Sequence, residues 1–174
     1  MNLTYYTNYS LRVVVYLGVH SSSLASITQI SEAYGISRNH LVKVVHNLAK
    51  LGFIKTTRGR GGGLRLARDP KTINIGELVR QTEPNFCMVE CFNSSNNTCP
   101  LTPACELKCI MREASEAFLK VLNGYTLADL LAKRKQMAGL LGIQLVRRAP
   151  LWQNANGKTA KRANGVANGR VRAS

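Results

Sequence analysis

Residues 34–68 read YGISRNHLVKVVHNLAKLGFIKTTRGRGGGLRLAR, and this stretch decides the fold. Leu41, Val44, Val45, Leu48 and Leu51 recur at i, i+3, i+4 and i+7, the spacing of one helix face. The pattern predicts a helix over 38–51, capped by Ser37 and ended by Gly52. The next segment, FIKTTRGRGGGLRLAR (53–68), has two short β-prone runs flanking RGRGGG. That order predicts a hairpin with a glycine-rich, arginine-bearing tip.

Upstream, SSSLAS (21–26) is a turn. Ser26 followed by Gln29 forms a capping-box signature that opens a short helix, ITQISEAY, stopping at Gly35. Leu11, Val14, Val15 and Gly18 share a face, with Leu3, Tyr6 and Tyr9 leading in, so 3–19 reads as the first helix. Helix, short helix, glycine turn, helix and hairpin is the order of a winged helix-turn-helix. Downstream, INIGELVRQTE (73–83) reads as a further helix. A cysteine-bearing loop follows at 84–106. A long helix then starts at Leu107, with apolar positions Leu107, Ile110, Met111, Ala114, Phe118, Val121 and Leu122, and breaks at Asn123-Gly124. Thr126 with Asp129 is a second capping box, opening a last helix through Leu130 and Leu131 towards Leu141. The fold class is therefore mainly α with a small β-hairpin wing. The expected organisation is a DNA-binding unit over 1–83, the loop over 84–106, and the long helix with a short C-terminal one over 107–146. Residues 147–174 are small, repetitive and basic, and are expected to be a disordered tail.

The charge selects the partner. The chain carries 24 Lys and Arg against 9 Asp and Glu in 174 residues, a net charge of +15. A polyanion is implied, nucleic acid ahead of a membrane surface. No apolar run approaches the roughly 18 residues that a membrane span needs. The start, MNLTYYTNYSLR, lacks the features of a secretory signal, so a cytoplasmic location is expected. Residues 38–71 hold nine Lys and Arg and one acid, Asp69. On the predicted recognition helix the outward side chains are Arg38, Asn39, His40 and Lys43. Arginine pairs with guanine edges and asparagine with adenine edges. Asn47 and Lys50, further along, are expected at phosphates. In the wing, Arg58 and Arg60 stand among glycines that let the backbone approach DNA. Such a helix pair also occurs in ordinary packing, and a basic run is often only a solvated face. The agreement of helix order, wing and charge favours DNA. RGRGGG lacks the Gly-Lys-Ser/Thr ending of a phosphate loop and sits between strands. No Ser/His/Asp or paired-carboxylate pattern suggests an enzyme, and His20, His40 and His46 are scattered.

Residues 91–105 read CFNSSNNTCPLTPAC. Five cysteines, an odd number, in a reducing compartment point to metal or redox chemistry rather than disulfides. Cys91, Cys99 and Cys105 have Cys-x7-Cys-x5-Cys spacing, whereas zinc sites prefer close Cys-x2–4-Cys pairs. Widely spaced thiolates on a loop suit an iron–sulfur cluster, which takes four ligands. Soft thiolates serve both metals, so zinc in a basic architectural nucleic-acid binder stays open beside the cluster. Pro100 and Pro103 deny the loop regular structure. Cys109 lies among Leu107, Ile110 and Met111 and is expected to be buried and inert. Cys87 is undecided.

LTYYTNYSLRVVVYL, YGISRNHLVKVVHNLAKLGFIKTTRGRGGGLRLAR, NFCMVECFNSSNNTCPLTPACELK and NGYTLADLL together resemble the NsrR group of nitric-oxide-sensitive repressors. That group lies in the winged-helix iron–sulfur family that also holds the cluster-biogenesis regulator IscR. The resemblance runs from residue 1 to about 142. CPLTPAC and NHLVKVV favour NsrR over IscR. It implies a homodimer joined through the long helix, which is then a dimerisation helix. It also implies a 2Fe–2S or 4Fe–4S cluster on Cys91, Cys99 and Cys105, and release of operator DNA when nitric oxide nitrosylates that cluster. In the family an acidic residue of the first helix supplies a fourth ligand from the partner subunit. Here Asn8 stands at that position. A neutral amide is a weak iron ligand, so Cys87, Cys109, Glu90 or a small external thiol are the other candidates. An IscR-like regulator of cluster or iron status is the alternative with the same fold.

Overall fold

Thr4 opens the first helix, α1 (Tyr5–Val19), by accepting the Thr7 N–H at its hydroxyl, 3.2 Å away. Leu3 therefore lies before the helix rather than in it. This computed structural model describes residues 2–86, 88–146 and 148–154. The Ser26–Gln29 capping box forms as the sequence predicts and starts α2 (Ile27–Tyr34), which ends at Gly35 with φ 64°. α3 (Arg38–Lys50) starts after Ser37, but the Ser37 side chain makes no capping hydrogen bond. Leu41, Val44, Val45 and Leu48 are buried from α3, and Val13, Val14 and Leu17 from α1. Full burial of such side chains contributes about 1.5–3 kcal/mol each, so the interlocked stripes of α1 and α3 hold the head together.

The hairpin consists of β1 (Ile54–Thr57) and β2 (Gly63–Leu66), antiparallel in the register Ile54↔Leu66 to Thr57↔Gly63. Its tip turns through Gly59 at φ 95° and Gly61 at φ 78°, conformations that cost a side-chain-bearing residue dearly. Ala25, which the sequence places in a turn, pairs with Leu64 as a further bridge, with N···O distances of 3.0 and 2.7 Å. A Cβ at Gly63 would sit 2.8 Å from the Ala25 carbonyl oxygen, so that backbone approach needs glycine.

α4 (Ile75–Thr82) is capped by Asn74, which accepts the Glu77 N–H at 2.9 Å. The same Asn74 donates its side-chain amide to the Asn123 carbonyl at 2.7 Å. Backbone bonds Ile75 N–H to Tyr125 O and Leu127 N–H to Ile73 O, 3.0 and 2.8 Å, complete the junction. Residues 83–105 hold two single turns of 3-10 helix, Glu90–Phe92 and Thr102–Ala104, where the prolines suggest no regular structure. Pro103 fits the second because its fixed φ suits the first turn of a helix.

α5 (Glu106–Asn123) carries the expected apolar positions, but Leu107, Ile110 and Val121 remain about 60% exposed. Ala114 and Ala117 are exposed with them, so 107, 110, 114, 117 and 121 form an open seam at alternating 3–4 spacing. The Thr126–Asp129 capping box forms. The last helix is not continuous, however. It divides into α6 (Leu127–Leu130) and α7 (Arg134–Leu140). At the start of α7, Arg134 Nε and a terminal nitrogen donate to the Val19 carbonyl at 3.0 and 2.9 Å, and the latter also to Ser21 Oγ at 2.8 Å. Arginine there satisfies the carbonyl end of α1, where cations are favoured. Most of the expected tail, residues 147 and 155–174, lies outside the described residues. Residues 148–154 return to the head and end in a short 3-10 turn, Leu151–Asn154.

Candidate nucleic-acid interface and thiol loop

The first two turns of α3 present Arg38, Asn39, His40 and Lys43 to solvent, opposite its buried stripe. The side chains that the sequence marks as base-facing thus share one open surface. Arg58 and Arg60 are exposed on the wing tip. Among the described residues the ion pair present is Arg68–Glu77, at 3.6 Å, and it involves none of these cations. Their charge is therefore free to attract phosphate. Asn47 is placed differently from expectation. It is half-buried and hydrogen-bonds the Tyr6 hydroxyl, opposing the burial that pushes that hydroxyl above its ordinary pKa. Lys50 remains exposed.

Sequence reasoning misses an aromatic corner beside α3. Tyr9 lies 6.0 Å from the His40 ring and 6.0 Å from Tyr5, which is 80% exposed. With Tyr6, Lys43 and Val44 these rings line an open cleft of about 550 Å³. The YYTNY run is the available signal, but periodicity assigns it only to lead-in packing for α1.

The thiol loop is held by its Asn and Thr residues. Cys99 N–H donates to Asn97 Oδ1 at 3.2 Å, and the Thr102 hydroxyl donates to the Cys99 carbonyl at 2.9 Å. The Thr98 hydroxyl donates to Glu90 Oε1 at 3.0 Å, so the Glu90 carboxylate already has a partner. Cys91, Cys99 and Cys105 are half-buried and free, and Cys105 stands at the start of α5. Asn8 is exposed on the first turns of α1. Cys109 is also free but exposed, which corrects the buried, inert reading: its apolar neighbours lie on the open side of α5. Cys87 lies outside the described residues. Among the described residues no three His, Cys, Asp or Glu side chains converge as a metal site. Three free, soft donors on one 15-residue segment nevertheless fit three positions of a four-ligand cluster.

The loop leaves from a point that is tied down within the head. Glu83, the residue after α4, accepts the Thr4 N–H at 3.1 Å and the Thr4 hydroxyl at 3.0 Å. These residues are 79 positions apart, and nothing in the sequence pairs them. Thr4 caps the helix that carries Asn8 and the tyrosines packed on α3. Among the described residues no helix is long and apolar enough to cross a membrane.

Residues 3–133 match the family described as "Rrf2: Iron-dependent Transcriptional regulator". The chain is 51% identical over 142 residues to the HTH-type transcriptional regulator NsrR of Shouchella clausii, covering 81% of this chain and 95% of that protein. It is 50% identical over 142 residues to the NsrR of Bacillus subtilis, covering 81% and 97%. Among solved structures, T. potens IscR aligns with a TM-score of 0.63 at 25% identity, covering 79% of this chain and 90% of that one. CymR (YrzC), the global cysteine regulator of B. subtilis, shares the fold with a TM-score of 0.61 at 24% identity, over 76% of this chain and 98% of that one.

Proposed function

Because the chain belongs to the Rrf2 family of transcriptional regulators, we propose that it is a homodimeric repressor of the NsrR kind, releasing operator DNA in response to nitric oxide. It is a DNA-binding regulator and not an enzyme. One observation supports the finer reading: the free-thiol loop joins the end of α4, which Glu83 ties to Thr4 of the head, to the open seam of α5.

Cys91, Cys99 and Cys105 would hold a 2Fe–2S or 4Fe–4S cluster. Asn8, from the other subunit, is the proposed fourth and weakest donor. When bound, the cluster supplies iron that nitric oxide coordinates, displacing thiolate. The protein's own residues then convert loop geometry into DNA affinity. Arg38, Asn39, His40 and Lys43 enter the major groove, while Arg58 and Arg60 hold the adjacent backbone. The Leu107–Val121 seam, at coiled-coil-like spacing, pairs with the same seam of a second copy. Two heads must then meet two half-sites about one helical turn apart. A loop that shifts Glu83 moves the Thr4 cap, and through α1 the Tyr6–Asn47 contact with α3. A small rotation of each head suffices to misalign the pair.

The test is an anaerobic visible absorption titration with nitric oxide, with operator binding followed in the same samples. Bleaching of an iron–sulfur band with release of DNA at matching stoichiometry supports the reading. Cys99→Ser should lack the band and the response while keeping the fold. Zinc in place of iron and acid-labile sulfide refutes it. DNA release on cluster loss but not on nitric oxide addition favours an IscR-like signal instead.

A further inference from the structure

A two-stranded hairpin is marginally stable alone, so the angle at which a wing leaves its head depends on what grips the base. β2 buries Leu64 and Leu66 in the core, and the alternation of a strand turns Arg65, between them, to the opposite face. That face is held as well. The Arg65 guanidinium donates to the Leu151 carbonyl at 3.4 Å, and the turn Leu151–Asn154 lies against β2. The Leu151 N–H in turn donates to the Ser21 carbonyl at 2.9 Å. Ser21 is buried, and its hydroxyl accepts a hydrogen bond from Arg134 at 2.8 Å. Further along the same turn, Ala25 exchanges both backbone hydrogen bonds with Leu64. Ser21, Ala25, Leu64, Arg65 and Leu151 thus close a ring of contacts around the base of the wing. Trp152, next in the chain, is half-buried and packed against the core, which holds the ring's outer member in place.

Arg58 and Arg60 are exposed at the tip, so the base of the hairpin is what aims them. We infer that residues 148–154 are a brace that fixes the angle of the wing before DNA arrives, with Leu151 and Trp152 as positioning residues for the contacts of Arg58 and Arg60. The inference rests on the DNA-binding role of the wing. With the brace open, the hairpin hinges at its base, and both arginines have to be ordered at the moment of binding rather than before it.

The test is a double-mutant cycle in the full chain. Leu151→Pro opens the brace by deleting the N–H that Ser21 accepts. Residue 151 is the first of its 3-10 turn, a position that accommodates proline. Trp152→Ala opens the brace from its packed side. Arg58→Ala with Arg60→Ala disables the wing. The probe is a duplex that the unaltered chain selects from a random-sequence pool. Each brace variant should weaken binding about tenfold, the size expected when one or two long side chains lose their pre-organisation. In the wing-disabled chain the same variants should cost nothing further. Equal losses in both backgrounds overturn the brace, because damage to the head as a whole would weaken both alike. Unchanged affinity of Leu151→Pro and Trp152→Ala overturns it too. If the wing-disabled chain binds as tightly as the unaltered one, the DNA-binding role of the wing fails and the brace with it. Trp152 is the single tryptophan, so its emission tests the contact independently of DNA. Emission blue-shifted from that of the urea-unfolded chain is expected; identical emission overturns the brace.

Discussion

Replacing Gly76 by alanine puts a methyl group where α4 meets the end of α5. The new Cβ would overlap Asn123 Oδ1 and lie 2.9 Å from the Asn123 backbone nitrogen. The side-chain amide can swing away, but it then gives up the hydrogen bond from Arg80, now 2.7 Å long, worth about 1 kcal/mol. The backbone nitrogen must retreat about half an ångström to reach ordinary contact, a strain of the kind that costs about 1–3 kcal/mol. Alanine's better helix propensity returns at most about 1 kcal/mol. The net expectation is a destabilisation of about 1–3 kcal/mol, read as a lower urea midpoint at unchanged m-value. Adding Asn123→Ala removes the overlapping amide, so the double variant should recover part of the loss. Because this junction sets the angle between head and α5, Gly76→Ala should also weaken operator binding more than binding to random duplex. An unchanged or raised midpoint, or strict additivity of Gly76→Ala and Asn123→Ala, would refute the steric argument.

Ile110→Glu places a charge in the open seam of α5. It should convert a dimer to monomer in sedimentation, and operator affinity should fall about a hundredfold or more as the second half-site contact is lost; retention of the dimer would exclude this seam. Arg60→Ala should weaken binding to all duplexes and lower the salt slope by about 0.9; an effect confined to one sequence would show that Arg60 reads bases. The Thr126 backbone and side-chain hydrogen bonds hold the Asp129 carboxyl below its ordinary pKa. Their stabilisation is complete above that ordinary value and is lost as pH falls through the lowered one. Asp129→Asn should therefore flatten the acid limb of the Tm–pH curve, and an identical acid limb would show that the capping box contributes nothing through this charge.

Local signals carried the head of this protein. The Ser26–Gln29 box, the Leu41–Val44–Val45–Leu48 stripe and the RGRGGG tip each depend on neighbours a few residues away, and the structure places α2, α3 and the hairpin where they point. Exposure of Arg38, Asn39, His40 and Lys43 follows from the same periodicity, because a helix that buries one face must show the other. The spacing of Cys91, Cys99 and Cys105 puts them on one loop, where the structure leaves them free without gathering three metal-binding side chains at one point among the described residues. Periodicity could not say what α5 packs against. Its apolar face is left open within the chain, so Cys109, beside the exposed Leu107 and Ile110, is exposed where a buried position was expected. Nor could it pair groups far apart in sequence. Thr4 with Glu83, Arg134 with Val19, and Leu151 with Ser21 and Arg65 meet only once the helices have stacked. Hydrogen bonds at such separations are fixed by which surfaces become neighbours, a property of packing that no local pattern encodes.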